Sequence, residues 1–434
     1  MRRVLIVTSS YAPTMIADMH RARQLAWELP QQGWEVEILS PSTEFQREAC
    51  IDADSDGLFP PHSHAHYAPA MARGLFRIAG MRSIGWRALL PLWLAGQRLL
   101  RQRKFDLVYF STSQLPLLLL GRLWQRQFGV PYIVDVHDPL YNEHADHPVW
   151  ARPSLKHRLS HAVSGRLEKY VVSAANGLIA VSPHYIYSLR RRYQTRQPAW
   201  LRPGHWDVIP FSARPGDLRE VAHGMGAGSA KKGAPCRIVY VGAGGPIMKR
   251  SFTLLCQALS RSRQSSPHLC ERIRIELFGT MSGWRPGDPR YLADIAAAHG
   301  IGALIREEPA WTSYRRSLEL LLQSDGALIL GVDEVGYMPS KLFSYSLSGK
   351  PLLAVLHREG PAFAQFQRGA GMGHALWIGQ NCAMPLADAT AELEVFLREV
   401  VARQAFDRES DLMPHLAPAM AQRHIELFET CLSD

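Results

Sequence analysis

A chain of 434 residues exceeds one ordinary domain and is long enough for two that each close a hydrophobic core, while 47% apolar and 20% charged residues argue against a disordered or fibrous chain. No apolar run approaches the roughly 18 residues that span a bilayer, and six cysteines without a Cys-x-x-Cys pair argue against a disulfide framework or zinc site and for a reducing, cytoplasmic location. The net charge of +10 is uneven: residues 1–211 carry 25 Lys and Arg against 16 Asp and Glu, the remainder 24 against 23, so an anionic partner is expected at the first half.

The opening Met1-Arg2-Arg3-Val4-Leu5-Ile6-Val7-Thr8 has too few apolar residues for a signal-peptide core and reads as a buried first strand. A helix near Ala22–Leu29 and the alternating strand Trp34–Leu39 follow. Asp52-x-Asp54-x-Asp56-Gly57 begins like a calcium loop, but Ser63 occupies the position of the bidentate Glu. The same acids also fit the metal-binding Asp-x-Asp of single-lobe sugar transferases; a solvated loop is the simpler reading. His62, His64 and His66 alternate without a further ligand in view and read as surface loop.

Residues 57–105 contain Arg73, Arg77, Arg82, Arg87, Arg98, Arg101, Arg103 and Lys104 and no acid, interleaved with Leu75, Phe76, Ile78, Trp86, Leu89, Leu90, Trp93 and Leu94. Two readings stand. One is an amphipathic surface on an anionic membrane, with Arg98, Arg101, Arg103 and Lys104 as its basic patch, which places the protein at the inner face of the membrane. The other is two ordinary helices with solvated arginines and a core-facing apolar stripe. Nothing resembling a helix-turn-helix, zinc finger or RNP sequence supports nucleic-acid binding.

Strand Leu107–Phe110, an apolar helix Leu115–Phe128, strand Tyr132–Val136, a helix Arg158–Ser173 and strand Leu178–Val181 complete an α/β pattern, which implies a parallel sheet covered on both faces. Val134-Asp135-Val136-His137-Asp138-Pro139 places His137 and Asp138 at the carboxyl end of a strand, where open α/β sheets bind ligands. The alternative is a capping Asp and a hydrogen-bonded His. Residues 212–235, rich in Gly, read as a flexible linker.

A second α/β series begins at Arg237–Val241. It continues through helix Ser251–Arg261, strand Arg274–Phe278, helix Arg290–His299, strand Ala303–Arg306, helix Tyr314–Gln323, strand Ala327–Leu330, helix Lys341–Leu347 and strand Leu352–Val355. Tyr240-Val241-Gly242-Ala243-Gly244-Gly245-Pro246 leaves the first of these strands and meets a helix at Lys249 and Arg250, a plausible diphosphate cradle of amides, helix N-terminus and cations. It is neither a Walker loop nor Gly-x-Gly-x-x-Gly, and Phe278-Gly279-Thr280 lacks the acid of a nicotinamide site. Pro339-Ser340-Lys341 opens a helix whose start offers Lys341 to an anion or sugar, or is simply well capped.

In their order, these segments resemble the GT-B glycosyltransferases of family 4, a retaining group that includes many polysaccharide-building enzymes. The pieces are Arg3–Val7 with Tyr11-Ala12-Pro13, Gly33-Trp34-Glu35-Val36, Phe105–Tyr109, and Gly129-Val130-Pro131 leading into Asp135–Pro139. Ala174–Ser182, Val208-Ile209-Pro210, Val239–Gly242, and Pro339-Ser340-Lys341 through Gly349-Lys350-Pro351 complete them.

The resemblance implies two doubly wound Rossmann-like α/β lobes facing across a cleft. They would be an acceptor-side domain at 1–211, a linker at 212–235, a nucleotide-sugar domain at 236–410 and, at 411–434, a helix packing back on the first lobe. It implies a hexosyltransferase-type enzyme that moves a sugar, with retention and without metal or cofactor, from a nucleotide-diphosphate sugar to a glycan or lipid-linked acceptor. The pathway would be exopolysaccharide, capsule or lipopolysaccharide biosynthesis.

By position, His137 matches the histidine near the anomeric carbon, with Asp138 beside it. Lys249 matches the diphosphate lysine, joined by Arg250 and the amides of Gly242, Gly244 and Gly245. Lys341 matches a lysine of the Pro-Ser-Lys subgroup, and with Ser340, Ser344 and Glu334 it would face the donor's sugar or nucleotide. Three features depart from the pattern: Ala243 replaces the usual arginine, Gly336 and Ser344 replace the paired glutamates, and Thr14-Met15-Ile16-Ala17-Asp18 replaces a glycine-rich loop. They support a second expectation, a GT-B subunit without catalysis that binds or scaffolds a partner in polysaccharide assembly.

Overall fold

Strand β1 (Arg2–Thr8) carries Val4, Leu5, Ile6 and Val7 with no exposed surface, and a strand buried on both faces belongs in the middle of a parallel sheet. The computed structural model describes residues 1–14, 17–45, 51–61, 64–74, 83–141, 155–226, 233–281, 283–368 and 372–433. The chain forms two compact units, Met1–Pro210 with Ala417–Asp434, and Phe211–Leu416.

In the first unit β1 pairs in parallel with β2 (Trp34–Pro41) on one side and β4 (Leu107–Ser111) on the other, with Val4 opposite Val36 and Leu107. With β3 (His64–Ala68), β5 (Tyr132–Val136), β6 (Gly177–Ala180) and β7 (Trp206–Val208) the order is β3-β2-β1-β4-β5-β6-β7. Two expectations are corrected here. His64 and His66 lie on an edge strand, not in a loop, because His64–Ala68 takes the free edge of β2 and His66 Nε2 meets the Glu37 carboxylate at 2.8 Å; His62 lies outside the described residues. The solvated reading of the acids at 52–56 holds for the exposed Asp54 and Asp56 but not for Asp52, which is buried and accepts from Ser55 N at 3.1 Å, starting the 3-10 helix Ala53–Leu58. Among the described residues no group of three His, Cys, Asp or Glu side chains is arranged to hold a metal.

Pro116 makes the first turn of the apolar helix 3-10, Leu115–Leu118, before α-geometry runs from Leu119 to Phe128 and ends at Gly129 in the left-handed region. This helix lies against helix Ile84–Gln102, whose Gly96 leaves room for the fully buried Trp124: a Cβ at 96 would strike the indole.

Helix Ala417–Ser433 buries Met420, Ala421, His424, Leu427, Phe428 and Cys431, the one-sided spacing of an amphipathic helix. Phe428 meets Trp34 and Tyr109 at centroid distances of 5.5 and 5.4 Å, and Arg423 grips Asp207 with two bonds of 3.0 and 2.6 Å.

The second sheet has the order β10-β9-β8-β11-β12-β13, all parallel. Its strands are β8 (Cys236–Val241), β9 (Ile273–Phe278), β10 (Ile305–Glu308), β11 (Gly326–Leu330), β12 (Leu352–His357) and β13 (His374–Ile378). Helices Lys249–Ser265 and Leu386–Val401 cover one face with Phe252, Leu255, Leu259, Leu393, Phe396 and Leu397. The linker expected at 212–235 is corrected: Pro215–Gly224 is a helix of this unit, since Pro215 starts it and buried Val221 and Asp217 tie it down, Asp217 accepting from Tyr314 Oη at 3.1 Å. Residues 227–232 lie outside the described part.

Candidate functional site

In the second unit the strand order reverses between β8 and β11, the switch point at which doubly wound sheets open a crevice beyond their carboxyl ends. Two segments flank it, Gly242–Met248 after β8 and Gly331–Lys341 after β11. Gly242 (φ +136°) and Gly245 (φ +79°) take backbone conformations that side chains resist, and the chain then winds through the 3-10 turn Gly245–Met248 into helix Lys249–Ser265. Lys249 is the first residue of this long helix, is exposed, and has no ion-pair partner among the described residues. A free ammonium beside the positive end of a helix dipole attracts phosphate.

Arg250 is a correction. Its guanidinium donates to the Asp333 carboxylate at 2.6 Å and to the carbonyl oxygens of Gly379 and Cys382 at 2.6 and 3.3 Å, so it braces the loops after β11 and β13 instead of standing free for a diphosphate.

Lys341 is also placed differently from the sequence expectation of a cation offered at a helix start. Its side chain turns back onto β8: Nζ donates to Val241 O at 2.6 Å and lies 4.5 Å from the Tyr240 ring centroid. Burial pulls its pKa down to about 8. Tyr345, on the same helix Leu342–Leu347, accepts from Val241 N at 3.1 Å and donates to Val241 O at 3.2 Å. Ser340 and Ser344 are partly buried, Glu334 is exposed, and Gly244 donates its N–H to Thr280 O at 2.9 Å.

In the first unit, His137 at the end of β5 is buried and donates through Nε2 to Asp135 Oδ2 at 2.8 Å. Asp138 is exposed. Asp135 itself has no exposed surface, accepts from Tyr109 Oη at 2.6 Å and forms an ion pair with Arg21, whose Nε lies 3.0 Å from Oδ2. Burial opposes its ionisation, but Arg21 and then His137 more than offset this and hold its carboxyl well below the ordinary carboxylate range. Arg21 is anchored by the carbonyls of Ile209 and Pro210 at 2.5 and 3.2 Å. His424, from the last helix, completes the group: Nε2 lies 3.1 Å from Tyr109 Oη and Nδ1 lies 2.7 Å from Met420 O. Asp135, Arg21, Tyr109 and His424 were not singled out by the sequence reading. The available signal was Asp135, a charged residue in the apolar strand Tyr132–Val136, which cannot stay buried without partners.

Helix Ile84–Gln102 bears the basic patch. Leu90, Leu94, Arg98 and Arg101 fall on one exposed line, with Lys104 just beyond. Arg103 is a correction: it is bound to the buried Glu37 at 2.7 Å, and although burial opposes the Glu37 charge, Arg103 and His66 hold its pKa below normal. Arg87 is buried and donates to Met71 O at 2.7 Å, so it too is structural. Arg77, Arg82, Leu75, Phe76 and Ile78 lie outside the described residues. No helix among the described residues is long and apolar enough to cross a membrane.

Residues 20–210 match the glycosyl transferase 4-like domain. No curated protein matches the chain in sequence. Solved structures similar to it include the sucrose-phosphate synthase of Thermosynechococcus elongatus (14% identity, 99% of this chain and 100% of that one, TM-score 0.58). The Anabaena protein HepE in complex with UDP and glucose is similar at 14% identity, again over 99% and 100% of the two chains, with a TM-score of 0.58. The catalytic domain of starch synthase IV from Arabidopsis thaliana, bound to ADP and acarbose, is similar at 12% identity over 100% of both, with a TM-score of 0.60. The fold is thus that of the GT-B proteins, with two Rossmann-like domains.

Proposed function

We propose that this chain is a glycosyltransferase that moves a sugar from a nucleotide-diphosphate sugar to a glycan or lipid-linked acceptor in polysaccharide biosynthesis, with retention and without a metal. The observation that carries this reading is the turn after β8: a glycine-bearing loop at the switch point of the second sheet delivers Lys249, without an ion-pair partner among the described residues, to the N-terminus of a 17-residue helix. The glycosyl transferase 4-like match over residues 20–210 supports it, as do the UDP and ADP bound by proteins of the same fold. Lys249 and the loop amides would stabilise charge developing on the departing diphosphate. We assign His137, held by Asp135, to orienting the transferred sugar.

The test is calorimetric titration with UDP, GDP and ADP and their sugar conjugates. One nucleotide is expected to bind, and Lys249→Ala to weaken it roughly 10- to 100-fold, the range of one charge-assisted contact. Equal binding by the variant would remove Lys249 from the site.

A second reading, a GT-B subunit without catalysis, is favoured by particular residues: Arg250 is committed to Asp333, Ala243 brings no charge, and Gly336 and Ser344 bring no carboxylate. Absence of binding to every nucleotide would make this the better account.

The exposed line Leu90, Leu94, Arg98 and Arg101 supports attachment to an anionic membrane surface. Sedimentation with phosphatidylserine-containing vesicles is expected to fall with salt and to be lost when Arg98, Arg101 and Lys104 are neutralised together. Unchanged pelleting of that variant would rule the patch out.

A further inference from the structure

Holding even a partly buried ammonium without a carboxylate is costly, and Lys341, partly buried, is in that position. Among the described residues no acid pairs with it; its contacts are the Val241 carbonyl and the Tyr240 ring face. The chain is shaped to keep it there. Gly242 has φ +136°, and a Cβ at that position would collide with Lys341 Nζ, so only glycine lets the amine reach the root of the loop. Tyr345, four residues later, holds both the N–H and the carbonyl of Val241, the carbonyl that Lys341 uses. Tyr240 in turn donates its hydroxyl to Ala243 O, fixing the next peptide of the loop. A packing role would be met by a methionine or leucine. What the arrangement provides instead is a fixed positive charge against Gly242, at the switch point between β8 and β11.

We infer that Lys341 is the internal countercharge of the diphosphate site: its ammonium, fixed beneath Gly242, supplies from inside the loop the second cation that Ala243 does not supply and Arg250, bound to Asp333, cannot. The inference rests on the donor-site reading above and adds to it which residue carries the charge and how binding responds to pH. Two cations then face the ligand, Lys249 from the helix start and Lys341 from below.

The electrostatics give a signature that a bracing lysine lacks. With burial holding the amine's pKa at about 8, an incoming diphosphate raises that pKa, so binding near pH 8 takes up as much as about half a proton. Affinity falls as pH rises above about 8, although the nucleotide's own terminal phosphate, with a second pKa of about 6, is already fully charged. Among the described residues the groups that touch the amine are the Tyr240 ring and the Val241 carbonyl, which Tyr345 also holds, and no carboxylate pairs with it to produce the same dependence.

The experiment is calorimetry on the full chain with UDP, GDP, ADP and inorganic pyrophosphate. Nucleotide titrations are repeated at about pH 7.5 and about pH 9 in buffers of different ionisation enthalpy, for wild type and Lys341→Met. The expected result is proton uptake by wild type, a drop in affinity on the alkaline side, and a roughly 10- to 100-fold loss in Lys341→Met together with loss of the proton uptake. Circular dichroism checks that the variant folds, and the wild-type pH series decides the matter if it does not. Nucleotide binding that is independent of pH, or unchanged in the variant, overturns the inference and leaves the donor site standing. Pyrophosphate binding that depends on Lys341 while no nucleotide binds keeps the countercharge and overturns the donor reading. Failure of wild type to bind any of the four overturns both.

Discussion

Asp135→Asn is expected to destabilise the first unit by about 3–5 kcal/mol, the cost of removing one partner from a buried ion pair. The carboxylate has no exposed surface; its Oδ2 pairs with the Arg21 guanidinium at 3.0 Å and accepts from His137 and Tyr109 at 2.8 and 2.6 Å. The amide is isosteric, so no cavity forms. The loss comes from removing the carboxylate charge that faces the fully buried Arg21 guanidinium. Urea unfolding measures it, and a change below about 1 kcal/mol, the value of an exposed pair, would show that the interior is not dry. The double variant Arg21→Met, Asp135→Leu should recover part of the stability, because it buries no charge at all. Asp135→Asn also removes the negative charge that His137 faces. If His137 serves the transferred sugar as proposed, Asp135→Asn lowers turnover beyond what the unfolded fraction explains, and His137→Ala abolishes turnover in a folded protein.

Acid is expected to weaken the same unit through His424. Burial, with Arg21 acting in the same direction, depresses its pKa to about 3 against the opposing pull of Asp135 and the Met420 carbonyl. The unfolded chain binds a proton near pH 6.5 and the folded chain does not until about pH 3. Between those values the unfolded state therefore holds more protons, and stability falls as pH falls, by up to about 1.4 kcal/mol per pH unit. The contribution is fully present above about pH 6.5. Asp135, whose folded pKa is also depressed, adds its own loss only below the ordinary carboxylate range near pH 4. Thermal melts from pH 7 to pH 4 test this: His424→Gln, which cannot charge, should show a shallower decline than wild type. Parallel declines would mean that His424 titrates normally and that the ring is wetter than its burial implies.

The strands were legible because their signal is local. Val4–Val7, Ile329–Leu330 and Leu352–Val355 are apolar runs whose only stable place is inside a covered parallel sheet, and the glycine turn after Val241 follows directly from the sequence. Edge elements were less legible. His64–Ala68 is polar and pairs on one side only, so its composition resembles a loop, and Pro215–Gly224 is short and lies beside a Gly-rich stretch. In the candidate site, His137, Lys249 and the glycines were visible as residue types at the ends of strands and starts of helices. Their actual partners were not.

What the sequence determined by itself is therefore the α/β alternation, the two sheets, the turn that presents Lys249 and the basic character of helix Ile84–Gln102, all properties of a few consecutive residues. Tertiary structure alone decided which cations are free. It turned Arg250 onto Asp333, Arg103 onto Glu37 and Lys341 under Gly242, and it brought His424 to Tyr109 across 315 residues of chain. The reason is physical: a charge's role depends on what lies within a few ångströms of it, and in a parallel sheet those neighbours come from strands and helices far apart in sequence.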